Sequence, residues 1–325
     1  MNATAQTPDR PPSLLMIGLG RMGANMARRL AAAGSDVHGF DPSDAARAAL
    51  QATSAQYPVT LHDRLADAVA ALPSPKCVWL MVPAGEITES TIAALTPLLG
   101  PGDLIIDGGN AHYPDSQRRG RELAAHRIEF VDCGVSGGVW GLANGYCLMY
   151  GASPAAAATV APLMRRLAVT PTDGWLHCGP VGAGHFVKMV HNGIEYGMMQ
   201  ALAEGFALME AKREFDLPLD AIGELWRHGS VVRSWLLDLT AAALDDPNAL
   251  ESVGPVVADS GEGRDRRGID APRHSSPGHR HVDDEPLRFP GKGRCRQQAA
   301  RADAQGVRRT RGDVVEVVAA RAPEG

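Results

Sequence analysis

Three glycines near the start of the chain constrain its fold more than any other feature. Gly18, Gly20 and Gly23 form a G-x-G-x-x-G motif that directly follows the apolar run Leu14 to Ile17 and opens a helical stretch at Arg21. In this context the first glycine permits a tight turn, the second lets a pyrophosphate approach the backbone, and the third lets helix and strand pack closely. A plain glycine turn is the alternative. The flanking strand and helix favour a dinucleotide-binding unit.

An acidic residue at the end of the second apolar run supports the same interpretation. Asp41 follows Val37 to Phe40, and its carboxylate can accept hydrogen bonds from both ribose hydroxyls of NAD while it repels the extra phosphate of NADP. The alternative role is a helix N-cap, because Asp41 precedes Pro42. The sequence therefore predicts NAD as cofactor, with NADP possible.

Further cofactor contacts are expected where loops follow strands. Val82 and Pro83, with Ala84 beside them, end the run that begins at Cys77, and loops at the carboxyl ends of strands meet the ligand. Met22 lies within the glycine motif and is expected to contribute to the same pocket.

The organisation of the chain changes twice. From Ser13 to about Asp173, short apolar runs alternate with amphipathic stretches, which is typical of βαβ units around a parallel sheet. After Gly179 long helical periodicity takes over.

We predict an α/β Rossmann-like doubly wound sheet followed by an all-α helical domain. The predicted limits are a flexible N-terminus at 1–12, a nucleotide-binding domain at 13–175, a helical domain at 176–264 and an anomalous tail at 265–325. The predicted strands are Leu14 to Ile17, Val37 to Phe40, Cys77 to Val82, Leu104 to Ile106 and Phe130 to Cys133.

Bulk properties exclude several classes of protein. The net charge of −5 gives no general attraction to nucleic acid or anionic membranes. The five cysteines form no CxxC pair, so neither a metal site nor a disulfide framework is expected. No signal pattern and no run of 18 apolar residues occurs, so we expect a cytoplasmic protein without a membrane segment.

A helix with an unusual polar face marks the second part of the chain. Lys188, His191, Asn192 and Glu195 lie at i, i+3, i+4 and i+7 and project from one side, with Tyr196 beside them. A helix this apolar should be buried on most of its other sides, so the polar stripe faces either a ligand cavity or solvent. The mixture of hydrogen-bonding groups suits a small polyhydroxylated acid. The other sides carry Phe186, Met189, Val190, Ile194 and Met198.

Three runs resemble 6-phosphogluconate dehydrogenases. They are GPVGAGHFVKMVHNGIEYGMMQ (179–200), IDGGNAHYPDS (106–116) and VDCGVSGGVWGLANGYCLMYGA (131–152). The opening LLMIGLGRMGANMARRL and the late VADSGEGR (257–264) are similar to the shorter, NAD-preferring branch of the family, so the resemblance covers residues 13–264.

The resemblance implies roles for individual residues. Lys188 would be the general base for the substrate 3-hydroxyl and Glu195 the general acid, in an NAD-linked oxidation and decarboxylation of 6-phosphogluconate to ribulose 5-phosphate. His185 is expected to pack or to support its neighbours, and no metal is required. The residues expected to bind substrate are Asn110, which would also bridge to the cofactor, Ser136, Gly137, Gly138, His191, Asn192 and Tyr196.

The C-terminal part departs from the family. The 61 residues from Asp265 contain 12 Arg but one Leu, one Ile and one Phe, where the family has an apolar helical continuation. We interpret this as a shift of reading frame just after Arg264; a genuine disordered tail is the alternative. An unfinished helical domain would expose apolar faces of the helices at 184–212 and 232–244. A family-typical homo-oligomer is therefore in doubt, and Arg264 is only a candidate phosphate ligand.

Two other functions compete with this one. A β-hydroxyacid dehydrogenase of the 3-hydroxyisobutyrate type shares the two-domain plan and a helix lysine but lacks the acid–base pair for decarboxylation. An inactive NAD-binding remnant would keep the dinucleotide site without a competent substrate domain. The tail arginines have no aromatic interleaving, so no nucleic-acid partner is expected.

Overall fold

The computed structural model describes residues 12–246. Contacts between Cα atoms divide the chain into one compact unit that ends at Val190 and a second that starts at His191. The boundary lies inside a long helix, Ala183–Ala211. The predicted domain limits remain predictions, and both the tail from 265 and the candidate Arg264 lie outside the described residues.

The first unit is built on one eight-stranded sheet. Its strands are β1 Leu14–Ile17, β2 Val37–Phe40, β3 Val59–His62, β4 Cys77–Leu80, β5 Leu104–Asp107, β6 Glu129–Ser136, β7 Cys147–Gly151 and β8 Trp175–Gly179. They lie in the order β3-β2-β1-β4-β5-β6-β7-β8, and every neighbouring pair is parallel except β6 with β7. Because the strand order reverses between β1 and β4, a crevice for ligands forms at the carboxyl ends of these strands.

Helices connect the strands in the βαβ pattern. They are α1 Arg21–Ala32, α2 Asp44–Gln51, α3 Leu65–Ala70, α4 Glu86–Leu95, α5 Tyr113–Ala124, α6 Gly141–Asn144 and α7 Pro154–Leu167, followed by the long α8 Ala183–Ala211. The predicted fold class is confirmed for the described residues. The strands β3, β7 and β8 were not predicted. β3 and β8 lie at the edges of the sheet and are only partly buried, so their sequences lack a continuous apolar run, whereas β7 is apolar and buried and was missed.

The central strands are buried on both faces. Leu14 and Met16 of β1 lie in one apolar cluster, and Leu15 and Ile17 lie in the other. Alternate residues of a strand point to opposite faces, and both faces are covered by helices. This double burial is why the predicted runs are continuously apolar. The run predicted at 77–82 was too long, since β4 ends at Leu80, and the run predicted at 130–133 was too short, since β6 spans Glu129–Ser136.

The second unit contains the rest of α8 with helices α9 Leu219–Arg227 and α10 Trp235–Asp245. Phe206 of α8 is buried and lies 5.6 Å, between ring centroids, from Trp226 of α9. Gly223 of α9 faces Ala241 of α10, where an added Cβ would lie 3.4 Å from the Ala241 Cα. The helical pattern expected at 232–244 is confirmed here, although α10 begins three residues later, at Trp235.

The apolar side of α8 is not covered by the described residues. Ile194 is 60% exposed, and the four other exposed side chains on this side lie between 38% and 43%. The expectation that these sides are buried was therefore wrong, and the hypothesis that an unfinished helical domain exposes them remains a prediction. In the first unit, Gly134 and Gly184 let the side of α8 that carries Lys188 pack on β6, so Phe186, Val187 and Val190 face away from the sheet. The four others are Phe186, Val187, Val190 and Met198.

Two negative observations apply to residues 12–246. No helix there is both long enough and apolar enough to cross a membrane. In the same part of the chain, no group of three or more His, Cys, Asp or Glu side chains is arranged to hold a metal ion.

Candidate functional site

The glycine motif has the geometry that its sequence predicts. Gly18 has φ +89°, and an added Cβ would lie 2.4 Å from the carbonyl oxygen of Met81. An added Cβ on Gly23 would lie 1.9 Å from the carbonyl oxygen of Gly18, so helix α1 packs directly on the turn. At Gly20, by contrast, an added Cβ meets nothing within 4 Å. Gly18 and Gly23 therefore allow close backbone packing, and Gly20 leaves open space above the backbone.

That open space lies at the beginning of helix α1. Gly20 is the N-cap and makes no side-chain cap hydrogen bond. The first N–H groups of a helix have no partner within the helix and attract anions. A pyrophosphate fits this cradle. Met22, in the first turn, is partly buried and packs against the hydrophobic core, and its role in the cofactor pocket remains a prediction.

Asp41 is tied to the glycine loop and does not cap helix α2. Its Oδ2 accepts a hydrogen bond from the Leu19 backbone N–H at 2.7 Å, and its Oδ1 accepts one from the Ser43 N–H at 2.8 Å. The N-cap of α2 is Ser43, whose Oγ accepts the Ala46 N–H. The N-cap alternative for Asp41 is therefore wrong. Each carboxylate oxygen keeps lone pairs for a ligand.

The loop after β4 joins the glycine turn to the next strand. An added Cβ on Gly18 would lie 3.1 Å from Val82 Cγ1, and one on Gly109 would lie 2.9 Å from the Val82 carbonyl oxygen. The carbonyl of Pro83 accepts a hydrogen bond from Thr88 Oγ1 at 2.9 Å. The structure thus brings together three predicted parts of the cofactor site: the glycine turn, the Val82–Pro83 loop and the loop that carries Asn110.

A buried ion pair supports the Asn110 loop, and sequence reasoning missed it. Asp107 Oδ1 accepts the Gly109 N–H at 3.1 Å, and its Oδ2 lies 3.0 Å from Nη1 of Arg119. Both side chains of the pair are almost fully buried. Arg119 also contacts Glu89 of α4 at 2.8 Å. The only sign of Arg119 in the sequence is that it belongs to a charged run within α5, and such a run is typical of a solvent-exposed helix face.

Electrostatics at Glu89 follow from its two partners. Burial by itself would raise the pKa of the Glu89 carboxyl, but hydrogen bonds from Arg118 and Arg119 hold that pKa below its usual value. Glu89 therefore stays ionised and completes the brace between α4, α5 and β5.

One face of strand β6 is turned toward the first turns of helix α8. Asp132, Gly134 and Ser136 alternate along the strand and so point the same way. An added Cβ on Gly134 would lie 2.4 Å from the Cβ of Lys188, and one on Gly184 would lie 2.4 Å from the Asp132 carbonyl oxygen. The two glycines let α8 rest on β6, and Lys188 is only 6% exposed.

Asp132 holds the first turn of α8. Its carboxylate, which is fully buried, accepts the N–H of Gly182 at 2.6 Å and the N–H of His185 at 2.8 Å. Burial raises the pKa of Asp132, while the His185 ring and the two N–H groups act in the opposite direction. The sequence did not reveal this residue, because its partners lie about fifty positions away.

His185 has the supporting role that was expected. Its Nδ1 lies 2.7 Å from Ser116 Oγ, and both side chains are buried. Ser116, His185 and Asp132 do not form a nucleophilic triad, since Asp132 binds the backbone of His185 rather than its ring and Ser116 has no access to solvent.

Strand β6 ends in the predicted substrate loop. Gly137 and Gly138 have φ of +127° and +54°, a region that other residues rarely adopt. An added Cβ on Gly138 would meet only Trp140, at 3.8 Å, so the backbone here is approachable. Asn25 of α1 donates a hydrogen bond to the Val139 carbonyl at 3.4 Å and anchors the turn. Asn25 is another supporting residue that sequence reasoning missed.

The other predicted residues of the polar stripe belong to the second unit. There His191 Nδ1 lies 3.1 Å from Asn192 Oδ1 and 3.7 Å from Glu195 Oε2. Asn192 is 3% exposed, while His191, Glu195 and Tyr196 are half-buried. With Lys188 also buried in its own unit, the solvent-face alternative is wrong for these two residues.

Comparisons with known proteins agree with this geometry. The profile described as the NAD binding domain of 6-phosphogluconate dehydrogenase matches residues 13–178, and that of the 6-phosphogluconate dehydrogenase C-terminal domain matches residues 184–214. An NAD(+)-dependent, decarboxylating 6-phosphogluconate dehydrogenase of Haloferax volcanii is 41% identical over 249 residues, covering 76% of this chain and 80% of the relative.

Solved structures give the same result. Plasmodium falciparum 6-phosphogluconate dehydrogenase, solved apo, with NADP+ and with 6-phosphogluconate, has a TM-score of 0.71 at 27% identity and covers 78% of this chain. This chain spans only 56% of that protein's length. A 3-hydroxyisobutyrate dehydrogenase of Mycobacterium tuberculosis gives a TM-score of 0.59 at 27% identity, over 70% of this chain and 73% of its own. From the matched profiles and the identity to its relatives, the chain belongs to the 6-phosphogluconate dehydrogenase family.

Proposed function

We propose that this chain oxidises and decarboxylates 6-phospho-D-gluconate to ribulose 5-phosphate and CO2 and reduces NAD. The observation that carries the proposal is the position of Lys188. Its side chain is buried in the first unit and packs on Gly134 of β6, and Gly134 lies two residues before Ser136 on that strand. Lys188 belongs to helix α8, and its buried side chain packs against a strand that ends in a glycine-rich, approachable loop. An amine in this position is suited to take a proton from a bound hydroxyl.

The cofactor site supports NAD in particular. The space above Gly20 and the uncapped beginning of α1 fit a pyrophosphate, and the Asp41 carboxylate is fixed where the adenosine ribose of a dinucleotide lies at the end of β2. NAD, when bound, supplies the acceptor for the hydride from C3 of the substrate. Val82 and Pro83 shape the pocket, and Asn110 is proposed to bridge cofactor and substrate.

Lys188 and Glu195 are the proposed acid–base pair. Lys188 takes the proton of the 3-hydroxyl as the hydride leaves C3, which gives a 3-keto acid. The C1 carboxylate then leaves as CO2, and its bonding electrons form an enolate whose oxygen protonated Lys188 stabilises. Glu195 donates a proton to C1 of this five-carbon enolate, which becomes the ketone product, and Lys188 keeps the proton that it took from the 3-hydroxyl.

The remaining predicted residues are proposed to hold the substrate. Ser136 offers a hydroxyl, and Gly137 and Gly138 offer backbone N–H groups, to the carboxylate and the sugar hydroxyls. On α8 the imidazole, amide and phenol of His191, Asn192 and Tyr196 provide donors and acceptors of different kinds, which suits a polyhydroxylated acid.

The 3-hydroxyisobutyrate type of dehydrogenase is the second candidate, favoured by the structural likeness to the mycobacterial enzyme. Against it stands the combination of His191, Glu195 and Tyr196 with a lysine on one helix. An NAD-binding protein without turnover is the third candidate, and the uncovered apolar side of α8 favours it.

One experiment separates the three candidates. The purified chain is incubated with NAD and either 6-phosphogluconate or 3-hydroxyisobutyrate, and NADH and released CO2 are measured together with NADH binding. Equal amounts of NADH and CO2 from 6-phosphogluconate support the proposal. Lys188→Ala should lower that rate by about 10²- to 10⁴-fold and leave NADH binding intact. NADH from 3-hydroxyisobutyrate alone, or binding without turnover, would identify the second or third candidate.

A further inference from the structure

Arg47 contacts two carboxylates and the backbone carbonyl of Asp41 beside the proposed ribose site. We propose that Asp44 and Asp63 restrain Arg47 and thereby keep the coenzyme site selective for NAD, and that loss of these two carboxylates frees Arg47 to bind the 2′-phosphate of NADP. The inference rests on the proposed coenzyme site and goes beyond it, because the selectivity is assigned to residues other than Asp41.

The strand register brings these groups to one edge of the sheet. Strands β2 and β3 are parallel, and Phe40 pairs with His62. Asp41 and Asp63 are therefore the first residues beyond two neighbouring strands, at their carboxyl ends. In a dinucleotide-binding sheet the adenosine ribose lies at this end of β2, so Asp63 is next to the ribose site without belonging to the glycine motif.

Arg47 reaches back from helix α2 to this edge. Its Nη1 donates to the Asp41 carbonyl oxygen at 2.5 Å, and its Nη2 lies 2.6 Å from Asp44 Oδ1 and 3.2 Å from Asp63 Oδ1. The arginine side chain is 13% exposed, whereas the two carboxylates are 93% and 90% exposed. The guanidinium is thus held against the backbone of Asp41, the proposed ribose ligand. Its positive charge is balanced by the two exposed carboxylates.

The balance of charge explains the selectivity. Three carboxylates and one guanidinium leave a net charge of about −2 at this edge, which disfavours a dianionic phosphate on the ribose but not a ribose hydroxyl. Arg47 contacts the backbone of Asp41, the proposed ribose ligand, and carries the fork of donors that binds phosphate well. With both of its carboxylate partners neutralised, the same guanidinium has donors available to a phosphate.

The test uses binding, so it does not depend on turnover. The full chain and the double variant Asp44→Asn/Asp63→Asn are titrated with NADH and with NADPH, followed by nicotinamide fluorescence. The double variant should bind NADPH about tenfold more tightly and NADH within twofold of the starting chain. Both changed residues are exposed, and a thermal melt verifies that the fold is kept.

Two further variants make the test specific for Arg47. Asp67→Asn removes a nearby acid that does not contact Arg47, and it should change NADPH binding less than twofold. Adding Arg47→Gln to the double variant should abolish the gain for NADPH. A gain that persists without Arg47, or no gain in the double variant, overturns the inference while leaving the proposed function standing. Failure of the starting chain to bind either coenzyme overturns the proposed coenzyme site itself, and the inference with it.

Discussion

The buried carboxylate of Asp132 accepts the backbone N–H of His185 at 2.8 Å and so ties strand β6 to the first turn of helix α8. Lys188 lies in the next turn of that helix and rests on Gly134 of the same strand. The position of the proposed base therefore depends on a capping contact between residues far apart in the chain.

We expect Asp132→Ala to destabilise the protein by about 3 kcal/mol, because two buried N–H groups lose their acceptor. Turnover of 6-phosphogluconate should fall mainly in kcat, since the cofactor site lies on other strands. Asp132→Asn keeps one acceptor oxygen and should have a smaller effect. Chemical unfolding and initial rates check both effects, with Asp67→Asn at an exposed site as control. Equal loss of NADH binding and of kcat in Asp132→Ala would contradict the positioning role.

Gly134→Ala should separate the base from its strand. The new Cβ would meet the Lys188 Cβ at 2.4 Å, so the helix or the strand must move. We expect kcat to fall by at least about a hundredfold, as small misplacements of catalytic groups do, with NADH affinity nearly unchanged. The control is Gly205→Ala. Gly205 lies in α8, the helix that carries Lys188, and an added Cβ there meets nothing within 4 Å. It should stabilise the helix by about 0.5–1 kcal/mol, and rates within twofold of each other in the two variants would refute the prediction.

Neighbouring arginines on α5 should differ sharply in their effect on stability. Arg119→Ala leaves the buried Asp107 carboxylate without its partner, which we expect to cost about 3–5 kcal/mol. Arg118→Ala removes only partly exposed pairs and should cost about 1 kcal/mol or less. Urea midpoints of the two variants measure the difference. Similar midpoints would show that the buried pair does not brace the Asn110 loop.

Stability should fall as pH drops from 7 to 5, in part because of His62. Burial and the neighbouring His38, whose Nδ1 lies 2.8 Å from His62 Nε2, lower the pKa of His62 below 6.5. The unfolded chain therefore binds a proton near pH 6.5 that the folded chain resists, so stability is lost below that pH. His62→Gln should reduce this dependence of the urea midpoint, whereas His126→Gln, at an exposed site, should leave it unchanged. An unaltered dependence in His62→Gln would rule out this source.

Local patterns in the sequence determined much of the fold. The glycine motif, the continuously apolar runs at β1 and β2 and the periodicity of α8 and α10 each depend on residues within one or two elements, so they could be predicted without tertiary contacts. The same holds for the positions of Asp41 and Lys188, because a strand end and a helix face fix where such residues lie. The edge strand β3 escaped prediction, since its side chains are only partly buried.

Only the tertiary structure decided how these parts are held. Asp132 binds residues fifty and fifty-three positions away, Arg119 reaches Glu89 thirty positions earlier, and Leu19 holds Asp41 across twenty-two. Such partners are chosen by sheet order and by close helix–strand packing, neither of which leaves a periodic trace in the sequence. The burial of Lys188 has the same cause: Gly134 and Gly184 allow an approach of α8 to β6 that helical periodicity alone cannot indicate.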